Sequence, residues 1–214
     1  MTDADFVTET RTFYDTVAEE YAVHFGGLGP GTPLDRGVLY GFAELVGEGG
    51  EVADLGCGPG RVTAYLASLG LSVFGLDLSE SMLTIARREQ PGLRFVRGSM
   101  LELDLPDGSL DGVVSWYSTI HTPEEHLPAL FAGFHRVLRP GGHLLLGFQC
   151  GEEPRRYEEA FGHPVSLTFR RRRPEHVAAL LGAAGFTLRA TTVREPDEGE
   201  PVAQACLVAR KPTA

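Results

Sequence analysis

The chain has 214 residues, 43% of them hydrophobic and 22% charged, with a formal net charge of −10. This is enough chain for one buried core, and a charge that repels polyanions at long range. No apolar run spans a bilayer, and MTDADFVTET lacks the basic and apolar parts of a signal peptide, so neither a membrane nor a nucleic-acid partner is expected.

Three cysteines, Cys57, Cys150 and Cys206, have no CxxC spacing. They argue against a disulfide framework or zinc cluster and fit a reducing cytoplasm. From Asp5 to His24, Phe6, Phe13, Tyr14, Val17 and Tyr21 recur at helical spacing, which predicts an amphipathic helix. GGLGPGTP interrupts the chain, and LDRGVLYGFAELV resumes a helical pattern. Together these form an expected N-terminal helical cap over about 1–46.

From Glu51 short apolar runs alternate with helical patterns: EVADLG, RVTAYLASLG, SVFGLD, SESMLTIARREQ with Ser79 as cap, LRFVRGS and LDGVVS. A helix from PEEHLPALFAGFHRVL and a fifth strand, HLLLGFQ, follow. The pattern predicts one α/β domain over 1–214: a Rossmann-like, doubly wound, mostly parallel sheet with helices on both faces. Toward the end, PVSLTF reads as a strand and PEHVAALLGAAG as a helix stopped at Gly185. FTLRATTVRE and VAQACLVARK, joined by PDEGEP, are expected to form a C-terminal antiparallel hairpin. The arginines of FRRRRP, Arg170 to Arg173, read as solvent-facing.

VADLGCGPGRVTAYL gives strand, glycine-rich turn and helix, with Gly56, Gly58 and Gly60 in the turn. Such a turn admits a ligand at the carboxyl ends of parallel strands. No GK[ST] follows, which excludes a P-loop, and Arg61 stands where a dinucleotide fingerprint needs its third glycine. Asp54 beside the turn opposes a pyrophosphate and suits an ammonium group. Asp77, ending the second strand, is placed to accept hydrogen bonds from ribose hydroxyls.

VADLGCGPG, GLDLSESML and FHRVLRPGGHLLL, in this order and spacing, resemble the class I S-adenosylmethionine-dependent methyltransferases that act on small molecules. The resemblance implies S-adenosylmethionine as cofactor and S-adenosylhomocysteine as product. Asp54, Gly56, Cys57, Gly58 and Gly60 would hold the methionine part, Asp77 the ribose, and Leu78 and Met82 the adenine. Ser99, followed by Met100, stands where the family often has an acid near the adenine amino group. FYDTVAEEYA resembles the helix that folds over the cofactor, placing Tyr14 and Tyr21 near it or in the core.

SWYSTIHTPEEH follows the fourth strand. Thr122, Pro123 and Glu125 read as N-cap, first helical residue and capping-box acid, with His126 inside the helix. Ser115, Trp116 and Tyr117 are expected to line the crevice, with Trp116 against cofactor or acceptor. His121, just before the cap, is the candidate general base or a hydrogen-bonding contact to the acceptor.

A lid over about 149–169 is expected, with Arg155, Arg156 and Tyr157 as acceptor contacts. No metal is expected, because no histidine pair has ligand spacing with a matching carboxylate. These readings point to methyl transfer to a small metabolite or natural product by a cytoplasmic monomer or homodimer. A tRNA or protein methyltransferase, or a non-methylating protein binding the same cofactor, is the alternative.

Overall fold

The computed structural model describes residues 3–25 and 31–213. Most of the glycine-rich break GGLGPGTP lies outside the described residues. The helices are α1 (Asp3–His24), α2 (Pro33–Val46), α3 (Arg61–Ser68), α4 (Glu80–Glu89), α5 (Leu127–Val137) and α6 (Pro174–Ala183). The strands are β1 (Glu51–Leu55), β2 (Ser72–Asp77), β3 (Arg94–Arg97), β4 (Leu110–Trp116), β5 (Leu138–Gln149), β6 (Arg155–Ala160), β7 (His163–Phe169), β8 (Thr187–Arg194) and β9 (Gln204–Arg210).

Seven strands form one sheet in the order β3-β2-β1-β4-β5-β9-β8. β1 to β5 pair in parallel, whereas β9 is antiparallel to both β5 and β8. The expected hairpin therefore inserts its second strand between β5 and β8. Side chains alternate between two cores, as the period of two in a strand requires. Val52, Val114 and Leu145 meet Leu39 and Phe42 of α2 and Leu66 of α3. Ala53, Leu55, Val113 and Leu144 meet Leu130, Phe131 and Phe134 of α5 and Leu181 of α6. The sheet is doubly wound, and α2 belongs to its flank rather than to a cap.

Strand order reverses between β1 and β4, which opens a crevice at their carboxyl ends. α1 crosses this edge and packs on α4 and on β7 of a separate β6–β7 hairpin. Sequence patterning marked β7 but not β6, whose RRYEEA is polar and mostly exposed.

Two local expectations are corrected. Ser79 caps α4 by accepting from Met82 N, but Thr122 does not cap α5. Thr119–His121 and Glu124–His126 form short 3-10 turns instead, and α5 starts at Leu127 with no side-chain cap. His126 thus precedes the helix. The cause is tertiary and corrects the second expectation. Arg172, read as solvent-facing, is buried and donates to the carbonyls of Thr119 and Thr122, while Arg170 donates to that of His121. Glu124 pairs with Arg172 and His176. The guanidinium groups fix the turns that a local cap would otherwise have replaced.

Candidate cofactor and acceptor site

The crevice at the switch point, partly open to solvent, is lined by the turn after β1, the end of β2, α1 and the segment after β4. Its floor is the turn after β1. Gly56 N and Cys57 N donate to Leu76 O at 2.7 and 3.1 Å, folding the turn against β2. Asp77 at the end of β2 fastens it, accepting from Gly58 N at 2.8 Å and Ser79 N at 2.9 Å. Burial raises the Asp77 carboxyl above its ordinary range.

Asp54 is 1% exposed, and Thr63 Oγ1 donates to its Oδ2 at 2.7 Å. Its Oδ1 is buried without a partner. Desolvation pushes this carboxyl up to about 7. A buried polar atom without a partner is costly, and here the missing partner is a hydrogen-bond donor in the crevice.

The opposite wall comes from α1 and the segment after β4. Tyr14 and Tyr21 line the crevice and also pack with core residues such as Phe13 and Met82. Tyr14 Oη lies 2.8 Å from His121 Nε2, and His121 Nδ1 lies 3.3 Å from Thr168 O. A carbonyl can only accept, so Nδ1 carries the hydrogen and Nε2 accepts from the Tyr14 hydroxyl. Burial lowers His121 to about 4; the Thr168 bond opposes it, and Arg170 and Arg172 add smaller lowering effects. Burial, with Tyr21 and Asp77 nearby, holds the Tyr14 phenol well above its usual range. The pair is neutral at physiological pH.

Of the residues expected at the site, Asp54, Gly56, Cys57, Gly58, Asp77 and Leu78 line the crevice, as do Met82, Met100, Trp116, Tyr117 and His121. Six expected contacts do not line it. Gly60 lies behind the turn at φ +81°, where a Cβ would stand 2.8 Å from the Phe95 ring, so its smallness serves packing. Ser99 Oγ accepts from Leu101 N, closing a local turn. Ser115 is fully buried with its Oγ 2.6 Å from Ser118 Oγ. Because Ser118 donates to Leu55 O at 2.6 Å, Ser115 is the donor in that pair. Arg155 covers the Tyr157 ring, Arg156 bonds Ser166, and Tyr157 packs edge-on to Phe169. Arg156 also pairs with Glu9 of α1 at 3.9 Å, and none of the three lines the crevice.

The sequence reading missed Thr10, Arg11, Arg61 and Ser118, which also line the crevice. The helical spacing of Thr10 and Arg11 to Tyr14 was the available signal for the first two. Arg61 donates to Phe25 O at 2.6 Å and lies over the Phe25 ring.

The chain is similar to known proteins in part of its sequence and in its fold. Residues 52–142 match the methyltransferase domain family. The chain is 36% identical over 97 residues to an uncharacterized methyltransferase of Synechocystis sp., covering 45% of this chain and 46% of that protein. It is 29% identical over 157 residues to the sterol 24-C-methyltransferase of Aspergillus fumigatus, covering 65% and 41%. The chain thus spans less than half the length of these curated relatives. In fold it is similar to the 1,6-didemethyltoxoflavin-N1-methyltransferase of Burkholderia thailandensis, solved with S-adenosylhomocysteine. There the TM-score is 0.75 at 21% identity, with 99% of this chain and 91% of that one covered.

Proposed function

We infer that this chain is a class I S-adenosylmethionine-dependent methyltransferase and that it transfers the methyl group of S-adenosylmethionine to a small metabolite or natural product. The partnerless Oδ1 of Asp54, buried beside the glycine turn, carries the reading. It fits the ammonium of the cofactor, whose charge would supply the missing partner and return Asp54 to its ionised form. Arg61, at the end of the same turn, is the cation placed for the neighbouring carboxylate. Asp77 already accepts two backbone hydrogens and has lone pairs left for ribose hydroxyls. Leu78, Met82 and Met100 supply an apolar seat for the adenine. With Ser99 turned away, that seat lacks the side-chain acceptor the family often places there.

The bound sulfonium supplies an electrophilic methyl group. The chain's own residues position the acceptor and keep water out. α1 and the β6–β7 hairpin cover the acceptor end, which favours a small acceptor over a macromolecule. The Thr168 carbonyl holds His121 as the tautomer with Nε2 unprotonated, and the Tyr14 hydroxyl donates to that nitrogen. An acceptor hydroxyl that displaces Tyr14 from Nε2 inherits the same hydrogen bond, in the arrangement a general base requires. A carboxylate or thiolate acceptor would need only the positioning.

The test is product analysis. Purified protein incubated with S-adenosylmethionine and pooled metabolites should release S-adenosylhomocysteine together with a product heavier by one methylene. Cofactor binding without transfer to any small molecule, combined with transfer to tRNA or protein, would replace the small acceptor with a macromolecular one.

A further inference from the structure

We propose that Arg11 is the specificity-determining cation of the acceptor end, so that the methyl acceptor carries an oxyanionic group, a carboxylate or a phosphoryl group. This rests on the cofactor reading above and narrows its acceptor.

The direction of α1 places Arg11. Tyr21, near the C-terminal end of α1, lies beside Asp77 and Arg61 at the cofactor end. Tyr14, two turns earlier, reaches His121, and Phe6 stacks on His126 beyond it. The helix therefore runs away from the glycine turn toward its own N-terminus. Arg11, one turn beyond Tyr14, lies past the Tyr14–His121 pair.

Arg11 lines the crevice, half-buried. Among the described residues no hydrogen bond or ion pair engages its guanidinium. Asp15, one turn along the same helix, is taken by Ser79 and Ser81. The two carboxylates lining the crevice, Asp54 and Asp77, are bound into its floor. Arg170 and Arg172 add positive potential around His121, which Glu124, Glu125 and Glu9 partly offset. An acceptor with a cationic group would meet repulsion here, and one with an oxyanion would meet a planar donor fork. Trp116 and Tyr117 also line this crevice.

The test uses intact protein saturated with S-adenosylhomocysteine and titrated by calorimetry with benzoate, phenylphosphonate, benzyl alcohol and benzylamine. We expect at least one anion to bind roughly tenfold more tightly than the alcohol. Which anion does so distinguishes carboxylate from phosphoryl recognition. Arg11→Gln should abolish the preference, with Arg11→Lys restoring part of it and S-adenosylhomocysteine affinity retained in both. Equal or tighter binding of the alcohol or amine would overturn the proposal. So would an anion preference that survives Arg11→Gln, or a loss of S-adenosylhomocysteine affinity in that variant, which would assign Arg11 to the cofactor. Failure of wild-type protein to bind S-adenosylhomocysteine at all would instead overturn the cofactor reading.

Discussion

Tyr14 and His121, 107 residues apart, meet at 2.8 Å and join the helix that crosses the crevice to the turn that follows β4. The bond seats α1, while the Thr168 carbonyl on the other side of the ring fixes the tautomer of His121. His121 should remain uncharged down to about pH 4, well below an ordinary histidine. Nitrogen-15 chemical shifts of labelled histidine should show Nδ1 protonated and Nε2 bare across neutral pH. In Tyr14→Phe the Nε2 shift should move, while Nδ1 stays bonded to Thr168. A neutral Nε2–H tautomer in the wild type would contradict the arrangement.

Asp54 sets a pH dependence of cofactor binding. Its carboxyl sits near 7 without a ligand, and the ammonium requires the ionised form. Affinity for S-adenosylhomocysteine should be highest above pH 7 and fall about tenfold per unit below it, with proton release on binding in that range. Asp54→Asn should flatten this profile. Unfolding measurements report the same group less cleanly. With its folded value raised, Asp54 adds stability at low pH that is lost as pH rises through about 7. His121, lowered to about 4, adds stability above 6.5 that is lost as pH falls toward 4. The two trends oppose each other in the same window.

Trp116 is the single tryptophan of the chain and lines the crevice. Its emission should change in intensity or wavelength when S-adenosylhomocysteine is titrated in. An unaltered spectrum at saturation, shown independently by calorimetry, would move Trp116 away from the ligand.

Gly60→Ala should destabilise the fold without removing a crevice contact. The residue sits at φ +81° against Phe95, so strain and overpacking together should cost about 2–4 kcal/mol in urea unfolding. Gly58→Ala meets open space at φ +54°. It should cost about 1 kcal/mol in stability but weaken cofactor binding.

Arg172→Ala would leave the Thr122 carbonyl without its donor and the Thr119 carbonyl with Thr122 N alone. A loss of about 2–5 kcal/mol is expected in urea unfolding. Because these turns carry His121, cofactor-bound protein should also show altered histidine shifts.

The strand–helix alternation, the glycine turn and the two acids at β1 and β2 were all legible in sequence. Each is a local pattern with one physical solution. The reading failed where distant chain segments decide the outcome. Nothing near Thr122 signals that Arg172 will take its carbonyl. A charged run such as FRRRRP looks solvent-facing until buried carbonyls are brought to it. Gly60 and Ser115 lie within crevice motifs yet face packing partners, because a motif names a neighbourhood and not the direction of each side chain. Arg155 and Arg156 were read as acceptor contacts in a loop, but β6 pairs with β7 and turns them to hairpin partners. Arg11, which the sequence reading passed over, lines the crevice instead.

The central claim is that the crevice beside Asp54 and Asp77 binds an adenosyl amino acid. Calorimetric titration of S-adenosylhomocysteine into the purified chain at pH 8 tests it most directly. The account predicts one site per chain, with affinity lost in Asp77→Ala and weakened at pH 6. No heat of binding at either pH, from protein shown to be folded, would contradict it.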